Sequence, residues 1–311
     1  MRSIKTAVRL FIKEPRTFKI AMWQTFSPVL PEKLYLKVLF KLKMGYKLDL
    51  ESPRTFAEKC QWLKLFDRKP IYHQMVDKYE AKKLVASIIG EDYIIPTYGI
   101  WNKVEDIHWD SLPDKFVIKP THSGGSSAVL ICRDKCSFDI EKAKKVLRKA
   151  MNESIYPKLM EWTYKDVPPR IIAEQLLEDE RTVQPRDYKF MCFNGQPKLF
   201  YITTGREFPG AHVEDHFFNS DGSYNSTIKH IHYESHPENQ PAVPNNLSLM
   251  LVLAEKLSKG MPHLRVDLYE ANDKVYFGEL TFAEESGFAS YSPQKWNKQF
   301  GDWISLPNKT V

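Results

Sequence analysis

Pro262-His-Leu-Arg265-Val-Asp267-Leu-Tyr269, followed after Glu-Ala-Asn-Asp by Lys274-Val-Tyr-Phe-Gly-Glu279-Leu-Thr281-Phe282, is the stretch on which the reading of this chain turns. Side chains alternate between the two faces of a strand, so Arg265 and Asp267 share one face, as do Glu279 and Thr281. If the two strands pair antiparallel, one guanidinium, two carboxylates and a hydroxyl converge on a point. Hard oxygen ligands of this kind suit Mg2+ held against a polyphosphate, and an arginine suits the charge that develops as a phosphoryl group moves. A hairpin with a solvated polar face shows the same alternation. Phosphate-binding features upstream tilt the balance toward a site.

The main upstream feature is Phe116-Val-Ile-Lys119-Pro-Thr-His122-Ser123-Gly124-Gly125-Ser126-Ser-Ala-Val-Leu-Ile131. A strand delivers Lys119, small residues form a tip, and a second strand leaves. Backbone N–H groups of such a tip can fold over phosphate oxygens, and the glycines permit close approach. The tip lacks the Gly-Lys-Ser/Thr ending and following helix of a Walker A loop. Alone it reads as an ordinary turn; its weight comes from Lys119 before it and the carboxylates after it.

The chain has 311 residues, 42% of them hydrophobic, enough to bury a substantial core in two or three subdomains. It contains no apolar run of 18 residues, and Lys and Arg interrupt the apolar residues of Met1–Pro15 where a signal peptide needs a continuous apolar core. A cytoplasmic protein is expected. Cys60, Cys132, Cys136 and Cys192 are too few and too scattered for a zinc site, so reduced or buried thiols are expected.

Charge is unevenly placed. Residues 1–50 hold eleven Lys or Arg against Glu14, Glu32 and Asp49, a net +8, so the remainder of the chain carries −2 of the total +6. Apolar and aromatic residues such as Phe11, Phe18, Met22, Trp23 and Phe26 interleave with these cations. Two readings stand side by side: peripheral contact with the anionic inner face of a membrane, or a helix packed on the main domain with its lysines reaching water. Nucleic acid is not expected, because the basic excess stops and no nucleic-acid motif follows.

Helices are predicted from Pro31 to about residue 90, one of them opened by a Thr55/Glu58 capping box. Strands are predicted at Tyr93–Ile95, Phe116–Lys119 and Ser126–Cys132, then a helix over Asp139–Asn152. Further strands are expected at Arg170–Leu177, Tyr188–Phe193 and Lys198–Thr203, with a hairpin turning at Asp221-Gly222. Asn245 or Asn246 should cap a helix that Gly260 ends. His212, His216, His230, His232 and His236 read as a polar loop over the site in preference to a zinc centre, because no closed ligand set is present. Trp296, Trp303 and Tyr291 stand as sugar platforms or as core residues.

Taken together, Asp77-Lys78 at a helix start, Pro96-Thr97, Lys119 before Ser123-Gly-Gly-Ser126, Glu174-Gln-Leu-Leu-Glu178, Asp187-Tyr-Lys189, Arg206, Arg265-x-Asp267 and Glu279-x-Thr281 resemble the ATP-grasp fold. The phrases Pro53-Arg-Thr-Phe-Ala-Glu-Lys59, Gln61-Trp-Leu-Lys64 and Ala283-Glu-Glu-Ser-Gly287 narrow the resemblance to the TupA-like branch, associated with teichuronopeptide and capsular polysaccharide synthesis. The resemblance implies an α+β fold whose two subdomains grip ATP. Residues 1–72 would form a basic helical region, 73–172 the first subdomain, and 173–311 the second.

The resemblance also assigns roles. Lys78 and Lys119 would contact ATP phosphates under the loop Ser123, Gly124, Gly125 and Ser126. Glu174, Gln175, Leu176 and Leu177 would form the strand whose main chain reads the adenine edge, and Glu178 or Asp179 would hold the ribose hydroxyls. Lys189, Arg206 and Arg265 would surround the transferred phosphoryl group. Asp267, Glu279 and Thr281 would hold two Mg2+ ions, or Mn2+ in their place. The family often has Asn where Thr281 stands, which weakens that ligand, and the α/β domain that usually precedes the grasp is replaced here by the short basic region. The implied reaction is amide formation through an acyl phosphate, joining an amino acid or amine to a uronic acid of a surface polysaccharide or its precursor. A glycosyltransferase of the same pathway and a non-catalytic ATP-binding protein are the alternatives.

Overall fold

The structure, a computed structural model, describes residues 14–27, 29–125, 127–181, 185–205 and 212–310. Ser126 and Arg206, both expected near phosphate, lie outside the described residues, as do residues 1–13.

Helices come first, as predicted. α1 (Pro15–Gln24) lies beside α2 (Glu32–Met44), which Gly45 ends at φ 86°. Tyr35, Leu36, Leu39 and Phe40 of α2 are fully buried against Trp62 and Leu65 of α3 (Phe56–Phe66). The expected capping box opens α3: Thr55 Oγ1 accepts from the Glu58 N–H, and the Glu58 carboxylate accepts from the Thr55 N–H at 2.9 Å. α4 (Ile71–Val76) leads to α5 (Lys78–Ile89), capped by Asp77.

A first sheet follows: β1 (Thr97–Trp101), β2 (Phe116–Pro120) and β3 (Leu130–Cys132), then α6 (Ile140–Met151), α7 (Tyr156–Leu159) and β4 (Ile171–Gln175). Its strand order is β1-β4-β2-β3, antiparallel throughout, and Ala143 and Leu147 of α6 pack on Phe116, Ile118 and Ala173. Two expectations need correction. Tyr93–Ile95 is not a strand; Glu91–Tyr93 forms a 3-10 turn and β1 begins at Thr97, past Pro96, which has no N–H for a ladder. β3 begins at Leu130 rather than Ser126, leaving the intervening residues to the loop.

The second sheet is the larger: β5 (Arg186–Phe193), β6 (Gln196–Thr204) and β7 (Glu214–Asn219), then β8 (Lys229–His230), α8 (Leu247–Ser258), β9 (His263–Ala271) and β10 (Lys274–Thr281). Short β11 (Tyr291–Ser292), which pairs with β8, and α9 (Lys295–Trp303) close the chain. The order β10-β9-β5-β6-β7 is antiparallel throughout. Leu264, Val266, Leu268, Phe190 and Phe200 fill one face with α8 and α5 residues such as Leu253, Met250 and Val85. On the other face, Met191, Phe193, Leu199 and Phe217 pack on Phe56 and Phe300. The rest of that second face is polar and carries the site.

Three details refine the sequence reading. Asn246 precedes α8 but makes no side-chain cap; Glu270 caps the helix instead, accepting the Asn246 and Asn245 N–H groups at 2.9 and 3.1 Å. Two of the five histidines do not belong to a loop: His216 is fully buried on β7 and His230 is buried on β8, whereas His212, His232 and His236 lie between strands. Tyr291 belongs to the core beside Phe56 and Phe300. Among the described residues no helix is long and apolar enough to cross a membrane.

Candidate active site

Asp77 organises one edge of the site. Its Oδ1 accepts the Tyr79 and Glu80 N–H groups at 2.9 Å, capping α5, and its Oδ2 accepts the Thr121 hydroxyl at 2.7 Å. The Lys78 N–H donates to Thr121 O at 3.0 Å, while the Lys78 ammonium donates to Ser123 O at 2.9 Å. The small-residue loop is thus pinned to the positive end of a helix, where anions are favoured. Gly124 lies close to Tyr164, whose hydroxyl would stand 3.5 Å from a Cβ at that position. Gly125 takes φ 77°, which disfavours any other residue.

Lys119 leaves β2 beside Glu174 of β4, and the two are joined by a close ion pair. Lys82, one turn beyond Lys78 on α5, reaches the same carboxylate at 2.7 Å. Burial raises the Glu174 carboxyl, but the Lys119 and Lys82 ammonium groups outweigh it and bring it down to about 2. A carboxylate this deeply buried needs such partners. The Glu174 side chain therefore holds two lysines in place and is not free to touch a base.

Between the two sheets lies a cleft of about 490 Å³. Ile95, Val117, Ile131, Leu176, Leu177 and Phe277 supply apolar lining, and Lys82, Lys119, Lys189, Glu174 and Asp187 supply charge. This combination suits a flat base together with phosphates. Gln175 ends β4 with its N–H on Pro96 O, at 2.9 Å, and Leu176 and Leu177 continue the wall. Glu178 is half-exposed and paired with Lys115 at 2.8 Å. Asp179 is committed to the turn between β9 and β10, accepting the Asn272 N–H at 3.0 Å.

On the polar face of the larger sheet, one row crosses four strands: Glu279 opposite Asp267, Asp267 opposite Lys189, and Lys189 opposite Tyr201. Arg265 grips Asp267 with two bonds, Nε to Oδ1 at 2.7 Å and Nη2 to Oδ2 at 2.6 Å. The same guanidinium reaches Glu279 and Glu284, each at 3.2 Å. Lys78 Nζ lies 3.7 Å from Glu279 Oε2, which joins the α5 edge to the row. Desolvation raises the Glu279 carboxyl, yet Lys78, Arg265, Lys189 and Lys119 outweigh it and hold it at about 2. Asp267 is pushed the other way, to about 7, by burial and by nearby Asp187 against the pull of Arg265 and Lys189.

Carboxylate and hydroxyl oxygens of this kind are the donors a divalent cation takes, but both Asp267 oxygens are engaged by Arg265, and among the described residues no group of three or more His, Cys, Asp or Glu is placed to hold a metal ion. Asp267 and Glu279 present hard oxygens side by side, and Thr281 Oγ1 lies 3.4 Å from Glu279 Oε1. Asp187 adds a buried Oδ1 with no hydrogen-bond partner.

Beyond Arg265, Glu284 is buried and also accepts close hydrogen bonds from Tyr201 and Tyr291. Glu285, Ser286 and Gly287 follow at φ 47°, 60° and 77°. A left-handed conformation costs a non-glycine residue about 1–2 kcal/mol, so the surroundings must impose it. They do: Gln61 Nε2 donates to Gly287 O at 2.6 Å, Lys64 Nζ to Ser286 O at 2.8 Å, and Ser286 Oγ to Glu161 Oε1 at 2.6 Å.

The structure therefore brings Lys78, Ser123, Lys119, Lys189, Arg265, Asp267, Glu279 and Thr281 to one edge of the cleft, and leaves Glu178 at an exposed rim. Sequence reading missed Lys82, Tyr201 and Glu161, and gave Gln61, Lys64 and Glu284 no role although they stand in the phrases that carry the resemblance. Lys82 had a usable signal, since it follows Lys78 by four residues on one helix. For Tyr201 and Glu161 no local signal existed.

Several solved structures are distantly similar to this chain. D-alanine–D-alanine ligase from Helicobacter pylori aligns at TM-score 0.44 and 14% identity, covering 80% of this chain and 69% of that one. The ATP complex of the Bacillus anthracis D-alanine–D-alanine ligase gives 0.37 and 13%, covering 67% of this chain, which spans only about half, 54%, of that one. D-cycloserine synthetase DcsG gives 0.39 and 16%, covering 74% and 70%. Among curated proteins none matches the sequence. The assignment rests on the family model for TupA-like ATP-grasp proteins, which matches residues 58–305, from inside α3 to just past α9 and across every strand of both sheets. The chain belongs to the TupA-like ATP-grasp family, and its fold is the α+β ATP-grasp fold.

Proposed function

We propose that this protein is an ATP- and magnesium-dependent carboxylate–amine ligase that forms an amide through an acyl phosphate. Membership of an ATP-grasp family supports an ATP-dependent ligase. The observation that carries the reading is Arg265, held by Asp267, Glu279 and Glu284 beside a cleft lined by the cations Lys82, Lys119, Lys189, Arg133, Arg181 and Arg186 against only Glu174 and Asp187.

The adenine would lie between Leu176, Leu177 and Phe277, with main-chain groups of Gln175–Leu177 at its edge, and Glu178 would hold the ribose. Lys78 and Lys119 would bind phosphate oxygens under the loop Ser123–Ser126. Asp267, Glu279 and Thr281 would hold one or two Mg2+ ions, which neutralise phosphate charge when bound. Lys189, Arg265 and Arg206 would carry the charge of the phosphoryl group as the substrate carboxylate attacks the γ-phosphorus and ADP leaves. An amine then attacks the acyl carbon, phosphate leaves, and the amine loses a proton. Phosphorylation supplies the leaving group that a carboxylate lacks, so positioning and charge neutralisation suffice without a serine or cysteine nucleophile.

The acid in this reading is a uronic acid of a surface polysaccharide or its precursor, and the nucleophile is an amino acid or amine. The family's TupA-like character supports that choice. Residues 73–172 and 173–311 would act as the two gripping subdomains on the basic helical region 1–72. The test is ADP release from Mg-ATP with a panel of uronic-acid glycans and amines, run beside UDP-sugars as donors. ADP formed only with both an acid and an amine is expected. UDP released with ATP untouched would replace the ligase by a glycosyltransferase.

A further inference from the structure

The proposed ligation does not use the groove between α1 and α2. It encloses about 860 Å³, and Arg16, Lys19, Lys37, Lys41 and Lys47 line it. No carboxylate among the described residues lines it. The Arg16 guanidinium donates to the carbonyls of Leu42, at 2.8 Å, and Lys43, and so braces α1 against the end of α2.

Both helices divide their faces in the same way. On α1, Ile20 and Trp23 turn inward: Trp23 stacks on Tyr35 at 5.9 Å and donates to Tyr35 O at 3.1 Å. Lys19 and Met22 share another face, continued past the helix by Phe26. On α2, Tyr35, Leu36, Leu39 and Phe40 are buried, whereas Leu34, Lys37, Val38 and Lys41 share a different face. The cationic groove thus runs toward exposed apolar side chains: Met22 (51% exposed), Phe26 (46%), Val29 (75%) and Leu34 (51%). Cations beside exposed apolar residues suit a surface that is both anionic and able to accept hydrocarbon. A soluble acidic glycan would satisfy the lysines but offer nothing to Met22, Val29 or Leu34.

We propose that the α1–α2 groove and its apolar rim dock the protein on an anionic lipid bilayer. Inward-facing Trp23 and Tyr35 tie the docking element to the fold; on α2 packing and membrane contact use opposite faces, and on α1 they use adjacent ones. This inference stands or falls independently of the ligase reading.

The experiment is co-sedimentation of the full chain with vesicles of phosphatidylcholine alone or mixed with phosphatidylglycerol. Two variants accompany it: K19E/K37E/K41E and M22S/L34S, all at exposed positions outside the proposed site, with thermal melts to confirm folding. Wild-type protein should bind only the anionic vesicles and dissociate at about 0.5 M salt. The charge-reversed variant should bind at least about a hundredfold more weakly and the apolar variant about tenfold, with melting unchanged. Equal binding to neutral vesicles, or wild-type binding by either folded variant, would overturn the proposal. So would failure to sediment with anionic vesicles while polygalacturonate is bound in a lysine-dependent way, an outcome that would assign the groove to an acidic glycan.

Discussion

Asp267 and Glu279 stand opposite each other across β9 and β10, although Phe277, two residues before Glu279, pairs with Leu268 on the other face of the sheet. Gly278 is the extra residue that makes both true. This bulge shifts the phase of β10 by one, so that Val275 and Phe277 point into the core while Glu279 and Thr281 point into the site. A Cβ on Gly278 would lie 2.9 Å from the Tyr269 ring and 3.0 Å from Asp267 O. G278A should therefore cost about 1–3 kcal/mol of stability and lower ATP turnover at least about tenfold. Urea melts and ADP release across a magnesium titration would read both, and full turnover at ordinary magnesium would show that the register is not critical.

Arg265 satisfies three carboxylates at once, two of them buried. Lysine cannot reproduce the two-bond grip on Asp267 while also reaching Glu279 and Glu284. R265K should lose about 2–4 kcal/mol of stability and on the order of a hundredfold or more in turnover. E279Q should remain folded and lose turnover, since it removes a proposed metal ligand; retained activity there would sink the metal assignment.

Glu174 acts through the lysines on either side of it. E174Q leaves the buried Lys82 and the nearby Lys119 without their carboxylate. KM for ATP should rise about tenfold with a smaller change in kcat if their placement matters chiefly for binding, and stability should fall by about 3 kcal/mol. K82M/E174Q should recover part of that stability, because it removes both members of a buried pair. A double variant no more stable than E174Q would contradict this account.

Acid should weaken the fold through His230 and His263. Burial pushes both imidazoles down to about 4, and both are almost fully enclosed. Between that value and the unfolded value near 6.5, only the unfolded chain takes up the proton. Each histidine therefore removes about 1.4 kcal/mol per pH unit as pH falls from about 6.5 to about 4, while Asp267 and Glu285, raised to about 7, take up protons in the folded state over the same range and work in the opposite direction. Urea melts at a series of pH values should give wild type and H263F slopes that differ by one proton over this range, Phe56 and Phe193 already surrounding the ring. An unchanged slope in H263F would remove His263 from the explanation.

How far the sequence could be read depended on whether each signal was local. The alternation of Arg265, Asp267, Glu279 and Thr281, the Thr55/Glu58 capping box and Asp77 before α5 are local patterns, and the structure shows the strands and helices they predict. The bulge was marked only by Gly278 and by an apolar phase that slips from Phe277 to Leu280, and such a slip is easily taken for noise. Glu284 meets Tyr201 and Arg265 only when three distant segments pack together. Asn246 carried an ordinary capping signal, but tertiary structure overrode it, because Glu270 from β9 reaches the helix start.

The clamp on residues 284–287 also constrains the order in which the chain can be assembled. Gln61 and Lys64 are buried polar groups that reach carbonyls up to 226 residues further along, and Lys59 donates to Ile304 O at 2.7 Å. During synthesis α3 leaves the ribosome early, but its polar side chains find their partners only after nearly the whole chain has emerged. Until then the helix must stay hydrated or be shielded by another protein. The strained turn beside Arg265 therefore forms late, and an interrupted translation product would lack it even if both sheets were largely made.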